Sequence, residues 1–549
     1  MINNVLSGKT YKIIGIFLND DLGNMMIFIK TPFMNKLFIL SIAGILLLFS
    51  CQKQQVSESF AAEIPDPQPL SASEIDQLIF KSLENTARFE WGKAGAQVIW
   101  SAGKLTDQIY AVGYKPVDAE NIDERMADID IQQQAWKSAR EEVLQLIYEE
   151  EKKSRPDLQI SQMEAWPETV LPVMDIRIER YSTLQKLMNS GLVRYVEPMG
   201  YEYGFSKRPK FRVASSSGCG SNTATTGLVS GVHFTNITPG TKASWNYNYH
   251  GIQQAWTKST GAGIKVFIID TGVSPDQDNL GTAFNQGSSS GRTIEKIVTL
   301  PQNTFLGFTT GSAETPADGC GHGTAMAGVC LAPRGIDGAA TGIAYNASLV
   351  ACRAAADVLI DESRENKGVA DAFVNAGNRA DVRIISMSMG RITSNSQIAD
   401  AVRYAYGKGK LILCAGGTSF GWTAGWYGVI FPAYMNEVQA VTGVIENTNF
   451  TNCTECHKGA EIDFVVVMQR SADAVKPLTL AMNGNSPSTI GGSSVATAST
   501  AGIAALVWSR YPSLTRDQLI ARLQLNSSRY LNKSSEYGWG LINANTATN

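Results

Sequence analysis

Apolar residues in the C-terminal half of this chain come in short, nearly continuous runs, at 264–269, 348–352, 382–387, 411–415 and 438–444. A run rich in β-branched residues and lacking polar alternation is the pattern of a strand covered on both faces. Between the runs, 366–380 and 396–408 carry apolar residues at helical spacing. Strands alternating with helices predict a parallel sheet with helices on both faces, an α/β fold. The glycine- and serine-rich stretch 281–311 predicts a surface loop with room for a hairpin.

The N-terminal half is patterned differently. Ser71 and Glu74 form a capping-box pair at the start of a helix expected to end near Gly92. A strand at 109–114 precedes a long helix at 131–153, where Trp136, Val143, Leu144 and Ile147 share one face. Glu141, Glu142, Glu149 and Glu150 of that helix are expected in solvent. A strand at 170–178, a short helix at 184–188 and a strand at 192–198 complete a small α+β block within 71–203.

Ahead of that block, 37–50 is an uncharged apolar run preceded by Lys36, short for a membrane span and suited to a signal-peptide core. Cys51 follows directly, closing an export segment over 1–51. Met34-Asn35-Lys36 would make a more ordinary start than Met1, which leaves 1–33 as an extension. Residues 52–70 are polar and proline-rich, the composition of a flexible tether. Residues 204–245 hold Lys207-Arg208-Pro209-Lys210 and then a serine, glycine and threonine stretch, and read as an exposed linker.

At 549 residues, with 44% hydrophobic and 18% charged residues, the chain has room for two or three globular domains. A formal net charge of −3 offers no electrostatic footprint for nucleic acid. Phosphate-cradling glycine patterns are also missing from the sequence.

Candidate chemistry concentrates at three glycine-flanked points within 246–549. Gly491-Gly492-Ser493-Ser494-Val495-Ala496-Thr497 is a turn feeding a helix of small residues. A serine there faces backbone N–H groups that lack intrahelical partners and can stabilise developing negative charge. Helix capping by Ser493 or Ser494 would explain the same residues with no chemistry at all. A serine nucleophile needs more: a base within reach and a group that orients the base. The chain has four histidines, and only His322 sits in a glycine turn leading into a small-residue helix, Gly321-His322-Gly323-Thr324-Ala325-Met326-Ala327-Gly328. Asp270 ends the run 264–269 and precedes Thr271-Gly272, so it lies at the carboxyl end of a buried strand, where sites in open α/β sheets are found.

These motifs, in the order Asp, His, Ser, resemble the subtilisin-like serine peptidases, from about Asn246 to the closing Tyr537-Gly538-Trp539-Gly540-Leu541-Ile542-Asn543. The resemblance implies a serine endopeptidase in which Asp270 orients, His322 is general base and then acid, and Ser494 attacks the carbonyl. It implies that Ser388-Met389-Gly390 is the edge along which substrate adds as an extra strand. Ala415-Gly416 would wall the pocket for the side chain before the scissile bond, and Ile430, ahead of Phe431-Pro432, would lie near its floor and disfavour charge. Within 71–203, which holds a helical segment first, the strand-helix-strand-helix-strand block from 109 to 198 resembles the family's inhibitory prodomain, whose tail enters the cleft, with autocleavage expected within 204–231. The run ending at Cys51 resembles a bacterial lipoprotein signal, which implies a lipidated Cys51 and a place in the cell envelope, as an outer-membrane lipoprotein or extracellular. A plain secretory signal or an uncleaved anchor is the alternative. The partners implied are protein or peptide substrates, the chain's own prodomain and a membrane.

The chain departs from the family at several points. Gly417 stands where an asparagine usually donates to the oxyanion, leaving the Ser494 N–H, with Thr418, Ser419 or a loop amide to take over. That departure motivates an alternative reading, a catalytically impaired relative that binds extended peptides. Ala498-Ser499 replaces a common Pro-His and bears on helix packing. Asn279 replaces a calcium-ligating aspartate, and Pro333-Arg334-Gly335-Ile336-Asp337 does not resemble the family's calcium loop. Asp276 and Asp278 could bind a cation, but read first as a solvated turn, since calcium needs six or more oxygens; no cofactor is assigned, with calcium the one left open. Eight cysteines less Cys51 leave seven, an odd number, so at least one thiol stays free, with Cys414 in the core as the candidate. Cys453-Thr454-Glu455-Cys456-His457 matches a c-type haem attachment pattern, but the stretch resembles a surface loop of the peptidase domain, which favours a local disulfide or a strained surface turn.

Overall fold

Seven parallel strands carry the C-terminal part of the computed structural model, which describes residues 66–207, 219–220, 222–305, 308–419, 428–447 and 451–549. The apolar run 37–50, Cys51 and most of the tether lie outside the described residues, as do 208–218 of the linker. Residues 66–549 form one unit by their contacts. Among the described residues, no helix is long and apolar enough to cross a membrane.

The N-terminal part runs α1 (Ala72–Thr86), α2 (Ala96–Lys104), β1 (Ile109–Tyr114), α3 (Gln134–Glu151), β2 (Glu164–Trp166), β3 (Val173–Arg177), α4 (Tyr181–Asn189) and β4 (Val193–Pro198). Its antiparallel sheet has the order β2-β3-β1-β4. Helix α1 begins with the Ser71–Glu74 capping box but ends at Ala87, whose left-handed backbone (φ 58) stops it short of Gly92. Strand β2, at three residues, is too short to leave a periodic signal. Glu150 is buried and not solvated, because α4 packs beside it and Lys153 and Lys186 both reach its carboxylate. Its neighbour Glu151 accepts hydrogen bonds from Glu179 N, Arg180 N and Thr183 Oγ1, at the start of α4.

Alternate residues of β1 serve two cores. Tyr110, Val112 and Tyr114 pack with α3 and α4, whereas Ile109 and Ala111 belong to the core of the C-terminal part. The period-2 alternation of a strand makes both faces apolar at once, which explains why all six residues are buried.

The C-terminal part begins with the hairpin β5 (Phe234–Ile237) and β6 (Thr241–Ser244) and the short α5 (Ile252–Ala255). It continues with β7 (Lys265–Asp270), β8 (Ile294–Val298), the hairpin β9 (Asn303–Phe305) and β10 (Phe308–Thr310), α6 (His322–Leu331) and β11 (Ser348–Arg353). Then come α7 (Ser363–Asn378), β12 (Ile384–Met387), α8 (Ser396–Gly407), β13 (Leu411–Ala415), β14 (Gln439–Ile445), β15 (Ile462–Gln469) and α9 (Gly492–Arg510). The parallel sheet has the order β15-β14-β13-β12-β7-β11-β8. Its two edge strands were not foreseen. Strand β8, inside the stretch read as loop, is half-buried throughout and carries Glu295 and Lys296, so it has no apolar run. Strand β15 carries Phe464 to Met468, a run as apolar as those predicted.

The N-terminal sheet lies over α7 and α8. Glu197 of β4 accepts from Ser396 N and Ser396 Oγ, both at 2.7 Å, and so satisfies a donor at the start of α8 that the helix itself cannot. Ser363 Oγ donates to Asp107, Asn366 Nδ2 to the Met199 carbonyl, and Lys367 pairs with Glu168, which ties the start of α7 to the N-terminal part. Arg194 forms two hydrogen bonds, of 2.7 and 2.8 Å, with the Asp400 carboxylate. Cys219 is bonded to Cys320 and Cys453 to Cys456, which leaves Cys330, Cys352 and Cys414 as buried thiols among the described residues.

Candidate active site

Asp270 is the last residue of β7, His322 the first of α6, and Ser494 lies in the first turn of α9. Asp270 is buried, and its Oδ1 accepts from His322 Nδ1 and from Thr271 N, both at 2.8 Å. A carboxylate only accepts, so the His322 proton sits on Nδ1 and Nε2 is left free to take another. The close approach depends on Gly323, where a Cβ would collide with Gly272 O and come within 3.2 Å of Asp270 Oδ1. Burial opposes the imidazolium of His322, but the charge and hydrogen bond of Asp270, with Asp318 and Asp357 behind them, outweigh it and hold the pKa above the ordinary histidine value.

Asp318 was not singled out from the sequence. Its carboxylate accepts from Thr271 Oγ1, Cys320 N, Gly321 N, Thr324 N and Thr324 Oγ1, and so fixes the turn that presents His322. An acid four residues before the histidine, at a helix start, was the signal available. Two residues ahead of His322, the Cys219–Cys320 bond ties Cys219 of the linker to the site, and Asn222 Nδ2 donates to the Gly321 carbonyl at 3.1 Å.

Helix α9 starts at Gly492, four residues before Ala496, so the N–H of Ser494 lies among those without an intrahelical acceptor. The Ser494 hydroxyl donates to the Ser388 carbonyl at 3.1 Å, and Ser388 Oγ donates back to the Ser494 carbonyl at 2.9 Å. Ser494 opens onto a pocket lined also by Val358, Leu359, Ser388, Met389, Gly390, Ala415, Gly417 and Ile430. Gly416 faces the sheet instead: its N–H donates to the Val441 carbonyl, and a Cβ would stand 2.6 Å from Ile462 Cδ1.

Two features alter the expected pocket. The Gly390 N–H donates to the Val358 carbonyl at 3.2 Å and its carbonyl accepts from Ile360 N at 3.1 Å, so the edge expected to receive a substrate strand is already paired with the chain's own 358–360. Ile430 reaches across the pocket, its side chain packing where a Cβ on Gly390 would collide and 3.1 Å from where one on Gly417 would stand.

His457 also lines the pocket, and the sequence reading had placed it only in a haem-like motif. Its Nδ1–H donates to the Gly428 carbonyl and its Nε2 pairs with Ser419 Oγ, both at 2.9 Å. Burial drives its pKa down to about 4, against the Gly428 hydrogen bond, so the ring is neutral at pH 7. The ring lies against Gly417 (φ 129), where a Cβ would collide with Nδ1, which accounts for a glycine there.

The residues at the expected calcium position do not fit a cation. Asn279 Nδ2 and Gln286 Nε2 donate to Asp337 Oδ2, at 2.9 and 3.0 Å, so amide protons take the oxygen that a calcium ion would need.

A family profile described as the subtilase family matches residues 261–540. Subtilisin DY of Bacillus licheniformis is 30% identical over 291 residues, which is 52% of this chain and 91% of that protein. A subtilisin of Bacillus sp. (strain TA39) is 29% identical over 290 residues, 51% of this chain and 63% of the relative, so the match spans under two thirds of that protein. Among solved structures, fervidolysin from Fervidobacterium pennivorans, a keratinolytic enzyme related to subtilisin, matches with a TM-score of 0.55 at 16% identity. That match covers 80% of this chain and 60% of fervidolysin, and at this identity it speaks for the fold.

Proposed function

The chain belongs to the subtilase family of serine endopeptidases, and from that premise we propose that it hydrolyses peptide bonds through Ser494, His322 and Asp270 and is made as a self-inhibited, exported precursor. The observation that carries the reading is the 2.8 Å hydrogen bond that fixes the His322 ring on Asp270 and leaves its other nitrogen free to take a proton. His322 Nε2 takes the proton of Ser494 as Oγ bonds to the substrate carbonyl carbon, and the carbonyl electrons move to oxygen. The imidazolium then protonates the leaving amine, and water repeats the sequence on the acyl-enzyme.

Because His322 must be neutral to act, its raised pKa shows in the rate. We expect kcat/KM to rise with pH to a midpoint above the ordinary histidine value of about 6.5, and Asp270→Asn to lower kcat by about four orders of magnitude. A pH profile on a peptide amide checks both. Stability runs the other way: a raised pKa favours the fold below the unfolded value, and that contribution is lost as pH climbs through the folded one.

Two structural facts support latency. The 358–360 segment occupies Gly390, and α7, which follows it, is held by Asp107, Met199 and Glu168 of the N-terminal part. In our reading, 71–203, a helical segment plus the inhibitory prodomain, holds the substrate edge closed until cleavage within 204–231. Cys51 is the proposed lipid attachment point and the cell envelope the proposed location. The alternative, a peptide binder without turnover, rests on Gly417 alone.

The pocket selects a small, uncharged side chain before the scissile bond, because Ile430 fills it. Ile430→Ala is expected to raise kcat/KM for leucine over alanine at that position by at least about tenfold, measured on paired peptide substrates.

A further inference from the structure

We propose that the Thr418 hydroxyl donates to the oxyanion formed when Ser494 attacks, with Ser493 as the residue that orients it. The proposal rests on the reading of Ser494 as the nucleophile. Attack places a full negative charge on the former carbonyl oxygen, and a site that turns over must meet it with fixed donors. The Ser494 N–H at the start of α9 is one donor.

The polar side chains of the pocket wall can be tested one by one for a second. Ser388 Oγ is committed to the Ser494 carbonyl. Arg391 is buried and committed to Glu202, Asn366, the Tyr201 carbonyl and Thr393. His457 spends its one ring proton on the Gly428 carbonyl. Gly417 has no side chain and no room for one. Thr418 and Ser493 remain, with their hydroxyl oxygens 2.9 Å apart.

Burial decides which of the two faces the substrate. Ser493 is 1% exposed and its Oγ already accepts from Gly417 N at 3.2 Å, whereas Thr418 is half-buried and lines the pocket. The proton order that satisfies every group runs from Gly417 N–H to Ser493 Oγ, from Ser493 O–H to Thr418 Oγ1, and from Thr418 O–H into the pocket. Each donor polarises the next, which strengthens the last.

The backbone of Thr418 is held for this task. It bridges Cys456 in antiparallel fashion, with His457 N donating to the Gly417 carbonyl and Ser419 N to the Glu455 carbonyl. The Cys453–Cys456 bond closes the turn that supplies these partners. A donor fixed before the reaction needs no rearrangement when the charge appears.

The test compares Thr418→Val, which keeps the shape and loses the hydroxyl, with Thr418→Ser in the processed enzyme. Kinetics on a peptide amide are read beside inhibition by a peptide aldehyde, which forms the tetrahedral adduct, and by a product carboxylate, which does not. Thr418→Val is expected to lower kcat on the order of 100-fold with KM unchanged, the size of loss known for a side-chain oxyanion donor in a subtilisin. Aldehyde affinity should fall in parallel, product affinity should hold, and Thr418→Ser should keep kcat within about tenfold of the parent. A Thr418→Val enzyme with parental kcat would overturn the proposal, as would a loss shared equally by Thr418→Ser and by product binding. A parent without turnover on any peptide would instead remove the nucleophile reading, and this proposal with it.

Discussion

Replacing either Ser494 or His322 with alanine is expected to lower kcat by about six orders of magnitude, and replacing both to cost little more. The size is carried over from a subtilisin, in which the two residues act as one unit. The physical reason lies in the proton path. A serine hydroxyl does not give up its proton unaided at neutral pH, and a histidine without the hydroxyl has nothing to activate. Asp270 fixes the ring through Nδ1, and in the proposed mechanism His322 Nε2 takes the Ser494 proton from its resting bond to the Ser388 carbonyl, so either alanine would break the same relay. Initial rates with processed protein, beside unchanged far-UV circular dichroism, check the expectation, and Ser494→Ala should also accumulate as unprocessed precursor.

Glu202→Ala is expected to loosen the N-terminal part from the peptidase part by about 3–5 kcal/mol. Arg391 and Glu202 form an ion pair of 2.9 Å in which neither side chain has any exposure. The guanidinium belongs to the segment after Gly390 and the carboxylate to the tail after β4. Glu202 also accepts from Thr393 N, Thr393 Oγ1 and Tyr203 N, so its loss strands several buried donors as well as a charge. Once the domains separate, water can solvate Arg391, so the penalty falls on the docked state. Thermal melting of a Ser494→Ala precursor should therefore show a lower midpoint with Glu202→Ala, while active Glu202→Ala precursor gains activity sooner. An unchanged midpoint would remove Arg391–Glu202 from the account of latency.

The parts of the fold that the sequence announced are those written in a local pattern. Strands β7, β11, β12, β13 and β14 are buried on both faces and need uninterrupted apolar runs, whereas β8 sits at an edge and tolerates Glu295 and Lys296. Asp270, His322 and Ser494 could be singled out as candidates because each lies at an element terminus marked by glycines. What was not legible depends on residues distant along the chain. The pairing of Gly390 with 358–360, the His457 ring against Gly417, and the bond between Cys219 and Cys320, 101 residues apart, leave no trace in local spacing. Glu150 shows the same limit in reverse: its helix pattern places it outward, and only the packing of α4 and two lysines bury it.

The central claim is that Ser494 is a nucleophile activated by His322, and a fluorophosphonate probe measures that most directly. On protein freed of its N-terminal part, one phosphonyl group should appear on the peptide containing Ser494, at a rate that rises with pH through the His322 titration and vanishes in His322→Ala. A processed protein that stays unlabelled, or that carries the label on another serine, would contradict the account.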